Sequence, residues 1–148
     1  MDEAAARLCK HEAAHASACH WFSWRVLRVS RNPRGPKVDY LMPDDLKDPK
    51  LRGEQLAVVL AVPAMLDRWG TEDDMRRVAK LVSAGISLDR VSAVASALVE
   101  DCRFIRWRRR VEDALYSRVE LDEAAVQELL AGRAGILPPG SPREAVSG

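Results

Sequence analysis

Residues 7 to 21 read RLCKHEAAHASACHW. The stretch is rich in alanine and holds no glycine or proline, so it reads as helix. With Asp2 as a cap the helix is expected over residues 3 to about 22. Positions four apart on a helix share a face, with Cβ atoms roughly 6 Å apart. His11 and His15 can therefore turn both rings onto one ion, while Glu12 sits on the flank of that face. From there its carboxylate reaches a water and not the ion, which is where a general base belongs. The plain alternative is a pair of half-buried histidines in an alanine helix. Cys19 continues the stripe but lies about 12 Å along the axis from His11, too far to share a tetrahedral ion, and reads as a small buried residue. His20 points away from the stripe and reads as a helix-end residue near the last carbonyls.

The rest of the chain sets bounds on what this helix can belong to. At 148 residues there is room for one domain with a sizeable core. A net charge of +1 argues against a protein devoted to coating nucleic acid. Three irregularly spaced cysteines indicate no disulfide framework, which suits a reducing compartment. The start, MDEAAAR, lacks the apolar segment of a secretory signal. The longest apolar run, LAVVLAVPAML, is too short for a membrane span and contains Pro63. A cytoplasmic protein without membrane attachment is expected.

Two β-type runs, about 24–30 and 37–42, surround a Pro/Gly turn and predict a hairpin or a pair of edge strands. DDLKDPK reads as a polar loop. Residues 51 to 69 have helical period, with Pro63 expected to kink or split them. Gly70 is expected to close that helix and Thr71 to start another, running to about Ser83. Ser87 is expected to cap one long helix with apolar positions at Val91, Val94, Leu98, Phe104, Val111 and Leu115. Asp122 opens a last helix to about Ala131. The expectation is a mainly α single domain over residues 1–131 with a small sheet near its start. Residues 132–148, rich in Gly, Pro and Ser, read as a disordered tail.

A catalytic zinc keeps three protein ligands and an open position. The three histidines are already accounted for, so the third ligand must be an Asp, Glu or Cys. GTEDDMRRVAKLV, residues 70 to 82, crowds three acids into a helix start. The same acids also suit a capping box on Thr71 and a helix N-terminus generally. Periodicity leaves Glu72, Asp73 and Asp74 open.

With these segments side by side, the chain resembles the peptidase domain of the FtsH-type ATP-dependent zinc metalloproteases. That family's helix carries His-Glu-Ala-Gly-His-Ala where this chain has HEAAHA, with Ala14 in place of the glycine. Its strand, Arg-Gly turn, tyrosine and proline are matched by Arg34, Gly35, Tyr40 and Pro43. Its Gly-Ala-x-x-Asp-Leu is matched by Gly70-Thr71-Glu72-Asp73-Asp74-Met75, and its late Leu-Asp by VELDEAAVQELL. AVPAMLD replaces a glycine-containing segment, and Asp39 stands where the family's strand has glycine.

The likeness spans roughly residues 3 to 131. It implies a Zn²⁺ endopeptidase with His11, His15 and Asp74 as ligands and Glu12 as general base. It further implies that the strand at Val38, Asp39 and Tyr40 pairs with an extended peptide. No ATPase module or membrane anchor is expected ahead of the motif, so the implied substrates are flexible or unfolded segments. Otherwise a separate ATPase or adaptor would act alongside. The family's domains assemble in rings, which implies self-association.

The rival reading is a non-catalytic adaptor or a basic-surface binding protein for nucleic acid or an acidic partner. Arg25, Arg28, Arg31, Arg34 and Lys37 recur every third residue, and Arg103, Arg106 and Arg110 flank Trp107. Against it stand the near-neutral total and the tendency of long basic stems to cover apolar surface. An adaptor would also have no need of Glu12.

Overall fold

The computed structural model describes residues 1–131. The tail expected over 132–148 lies outside the described residues. The elements run in the order α1 (Glu3–Trp21), β1 (Arg25–Ser30), β2 (Lys37–Leu41), α2 (Pro49–Leu66), α3 (Glu72–Ser83), α4 (Leu88–Glu100), α5 (Cys102–Ser117), β3 (Glu120–Asp122) and α6 (Glu123–Leu130). The fold is mainly helical with one small antiparallel sheet, as the sequence leads one to expect.

α1 starts where Asp2 accepts the Ala5 N–H at 2.7 Å. Cys9, Ala13, Ala14, Ala16, Ala18 and Cys19 are buried, and the helix packs along α5 on one side and α2 on the other. α2 carries LAVVLAV, apolar all round, and Ala57 through Pro63 are all buried. α2 in turn packs on α3 and α4, so it is the central helix that sets α3 opposite α1. One buried cluster, including Cys9, Val29, Val58, Phe104 and Leu121, joins the helices to the sheet.

β1 and β2 form the expected hairpin, with a bulge between Val26 and Arg28. The strand order is β2-β1-β3, which leaves β2 at an edge. β3 was not legible in the sequence: three residues are too few to show an alternation, and the pairing of Leu121 with Val29 is long-range. Tyr40 of β2 packs on Trp24, ring centroids 5.0 Å apart, and the Trp24 indole N–H donates to Gln55 of α2 at 2.9 Å. These contacts fix the hairpin against the central helix.

Four sequence expectations need correction. The polar loop ends earlier than expected, because Asp48 caps α2 and Pro49 occupies its first turn, where a missing N–H is harmless. α2 is not split at Pro63 and continues to Leu66, so Gly70 does not close it but takes a positive φ in the following turn. Thr71 is the N-cap of α3, as expected, without the capping-box bond of the alternative reading. Its hydroxyl donates instead to the Arg68 carbonyl at 2.8 Å. The expected long helix after Ser87 is two, divided at Asp101, whose backbone is extended and whose carboxylate accepts the Arg103 N–H at 2.8 Å. An N-cap of this kind is worth about 1 kcal/mol and outweighs continuation of the helix.

Cys9 and Cys19 are fully buried, and burial pushes the Cys19 thiol up to about 12, whereas Cys102 is exposed. A thiol reagent should therefore titrate one cysteine in the native protein and all three in denaturant. Rapid native reaction of a second thiol would contradict this packing.

Candidate metal centre

Two side chains one helical turn apart and a third some sixty residues further along the chain converge beside α2. His11 and His15 project from the same face of α1, and Asp74 comes from the first turn of α3. His11 Nε2 lies 3.0 Å and His15 Nε2 2.9 Å from Asp74 Oδ2, and the two ring nitrogens are 3.1 Å apart. The three residues thus form a group able to hold a metal ion. Among the acids left open by the sequence, only Asp74 joins it. Asp73 turns outward, 88% exposed, and pairs with Arg76.

The hydrogen-bond chemistry of the group is decided one step further out. His15 Nδ1 is 2.9 Å from the Val59 carbonyl oxygen. A carbonyl only accepts, so Nδ1 carries the proton. In the neutral ring Nε2 then presents a lone pair, and it faces a carboxylate oxygen and a second imidazole. His15 Nε2 and Asp74 Oδ2, two acceptors 2.9 Å apart, repel one another unless a proton or a cation sits among the three atoms, supplied by the His11 ring, by protonation of His15 or by a metal ion. Tetrahedral zinc bonded to such donors at about 2.0–2.2 Å spaces them roughly 3.3–3.6 Å apart. The triangle here is a few tenths of an ångström tighter, so the donor set fits that ion with slight expansion.

Glu12 is 3% exposed and sits beside the triangle, its Oε2 4.0 Å from His11 Nε2. Burial pushes its pKa up, against the pull of His15 and His11, and Asp74 adds to the rise. Burial also opposes ionisation of Asp74, but hydrogen bonds from His11 and His15 outweigh it and hold that carboxyl well below the usual range. For His15, burial favours the neutral ring, yet the Asp74 hydrogen bond, the Glu12 charge and the Val59 carbonyl together raise its proton affinity.

The group opens onto a cleft of about 350 Å³. One wall is β2, through Val38 and Tyr40, another is α2, through Leu56 and Leu60, and Trp69 stands at the turn before α3. Asp39 is not on the cleft. Strand alternation sends it to the opposite face, where it accepts from Arg28 at 3.1 Å. Ala14, in place of the motif glycine, is buried in the core and does not line the cleft. Cys19 is buried at the cleft floor and outside the three-ligand group. His20 meets Trp107 edge-on with centroids 4.5 Å apart, a helix-end packing residue as read from sequence. The Val59 carbonyl and Trp69 were missed. A backbone acceptor leaves no mark in residue identity, and Trp69 gave only its place before Gly70.

No family description matches the chain, and no curated protein matches it either. The resemblance to FtsH-type peptidases therefore rests on the motif residues themselves.

Without metal, His15 binds a proton more tightly in the folded than in the unfolded chain. Its contribution to stability is complete below its unfolded pKa near 6.5 and is lost as pH rises through the higher folded value. Metal competes with that proton and prefers the deprotonated ring. Thermal melts across pH 6 to 9 should thus show the metal-free protein weakening upward of pH 6.5, with the gain from added zinc growing over the same interval. A zinc effect that shrinks as pH rises would contradict the assignment.

Proposed function

We propose that the chain is a zinc-dependent endopeptidase acting on flexible or unfolded protein segments. The observation that carries this reading is the meeting of His11, His15 and Asp74 at 2.9 to 3.1 Å with Glu12 alongside. His11, His15 and Asp74 would hold the ion. Zinc in such a set supplies Lewis acidity, making water more acidic and polarising a carbonyl.

The chain's own groups would do the rest. Glu12 takes the proton from the attacking water and passes it to the leaving amine. Its buried setting suits both halves, since a carboxylate with raised proton affinity is the stronger base and still releases the proton later. The Val59 carbonyl holds His15 in the tautomer that offers Nε2. β2 pairs with β1 on one side only, so its outer edge can take an extended peptide as an added strand, with Val38 and Tyr40 facing the cleft. A cleft of about 350 Å³ takes a few side chains of such a segment and no folded domain. A separate ATPase, an adaptor or a ring of copies would be the partner that delivers folded substrates.

The binding-protein alternative gains no support from the basic residues, because most are paired within the chain. Arg25 bonds Glu123, Arg28 bonds Asp39 and Glu120, and Arg31 donates to the Leu115 carbonyl. On α5, Arg103 pairs with Asp101 and lies over Trp21, and Arg110 donates to the Leu129 carbonyl. No helix among the described residues is long and apolar enough to cross a membrane.

The test is zinc content together with cleavage of an unfolded protein. Glu12→Gln should keep zinc and lose about 100-fold or more in kcat, the usual scale for a general base. Asp74→Asn should lose zinc affinity, whereas Asp73→Asn should behave as wild type. Val38→Pro, which disturbs the edge strand, should raise KM with zinc retained, and unchanged cleavage would remove the strand-pairing element. Equal cleavage by wild type and Glu12→Gln would overturn the catalytic reading.

A further inference from the structure

Pro63 lies inside α2, four residues after Val59. In an α-helix the N–H of each residue bonds the carbonyl four positions earlier. Proline has no N–H, and its ring crowds that same carbonyl. The Val59 carbonyl therefore lacks its regular partner in the helix, and Val59 is 3% exposed. A buried carbonyl without a donor is unfavourable and is normally matched from elsewhere. The donor that reaches it here is the His15 Nδ1–H, at 2.9 Å. The two needs coincide. The helix has a carbonyl to satisfy, and the histidine needs one acceptor on Nδ1 so that Nε2 faces His11 and Asp74.

We propose that Pro63 is a positioning residue of the metal centre: by withholding an N–H from α2 it releases the Val59 carbonyl as the dedicated acceptor of His15. The ligand half of this inference rests on the metal-site reading above, while the hydrogen-bond half stands without it. Pro63 touches neither the ion nor substrate in this role. It acts through a backbone oxygen and a side chain of another helix. It also gives a physical reason for a proline in a buried helix that continues past it to Leu66, where a proline would otherwise only weaken the element.

The variant Pro63→Ala, made in the full chain, restores the N–H and lets α2 reclaim the Val59 carbonyl. Three quantities are then read: the melting temperature, zinc affinity by competition with a chromophoric chelator, and exchange of the His15 Nδ1–H with solvent in the metal-free protein by NMR. The inference expects an equal or higher melting temperature, zinc affinity reduced about 10- to 100-fold, and faster exchange of the His15 proton. Opposite movement of stability and affinity is what a merely structural proline would not produce. Placing the α-hydroxy analogue of alanine at position 63 gives a backbone ester with no N–H and no ring, and should restore affinity and protection.

Zinc affinity within twofold of wild type, with the His15 proton equally protected, would overturn the inference. So would a parallel loss of stability and affinity that the ester fails to rescue. If wild type binds no zinc yet Pro63→Ala still exposes the His15 proton, the metal reading falls and the hydrogen-bond inference survives.

Discussion

Two ring nitrogens and a carboxylate oxygen held within 3.1 Å of each other need a proton or a cation among them, and the packing around α2 is what holds them there. α1 contributes two of the atoms and α3 the third, and α2 packs against both helices. The apolar run of α2 fixes that spacing through burial, a force without direction. The direction comes from the His15 bond to Val59 and from the helical turn of α3, which carries Asp73 outward and leaves Asp74 facing inward. Removing burial would let the helices drift. Removing the Val59 acceptor would leave them packed but aim the His15 ring wrongly.

The site's neighbours follow from the same frame. Glu12 is next to His11 in sequence and is buried because α1 is covered on two sides. Its environment raises its proton affinity, whereas Asp74, a few ångströms away, is driven the other way by the two histidines. Two carboxyl groups of similar intrinsic acidity are thus pushed in opposite directions, the separation that acid–base chemistry at one centre would use. The hairpin reaches the cleft because Trp24 ties it to α2 and because Tyr40 stacks on Trp24.

Much of this was legible in the residues. HEAAH at helical spacing gave the two ring donors of the group and the glutamate beside them, and GTEDDM narrowed the third member to three acids. Choosing among those needed either a family resemblance or coordinates, since a helix start favours acids at all three positions for electrostatic reasons alone. Thr71 starts α3 as its sequence position suggests, but the capping-box alternative for the acids is not formed, because the hydroxyl donates to the Arg68 carbonyl. The division of α4 from α5 was hidden because apolar residues keep helical period across Asp101 and only the cap breaks the chain. Val59 was beyond reach, since its contribution is a carbonyl that every residue possesses. Pro63 was visible as an irregularity, but the His15 contact with the carbonyl four residues before it was not. Local rules tend to fail where a site imposes its own demands.

The central claim is that this triangle of atoms is filled by zinc. X-ray absorption at the zinc edge, on protein loaded with one equivalent and washed free of excess, reads the donors directly. The account predicts stoichiometric zinc with only nitrogen and oxygen neighbours at about 2.0–2.2 Å and the scattering pattern of two imidazoles. A sulfur neighbour at about 2.3 Å, which would bring in Cys19, or failure to retain zinc at all, would contradict it.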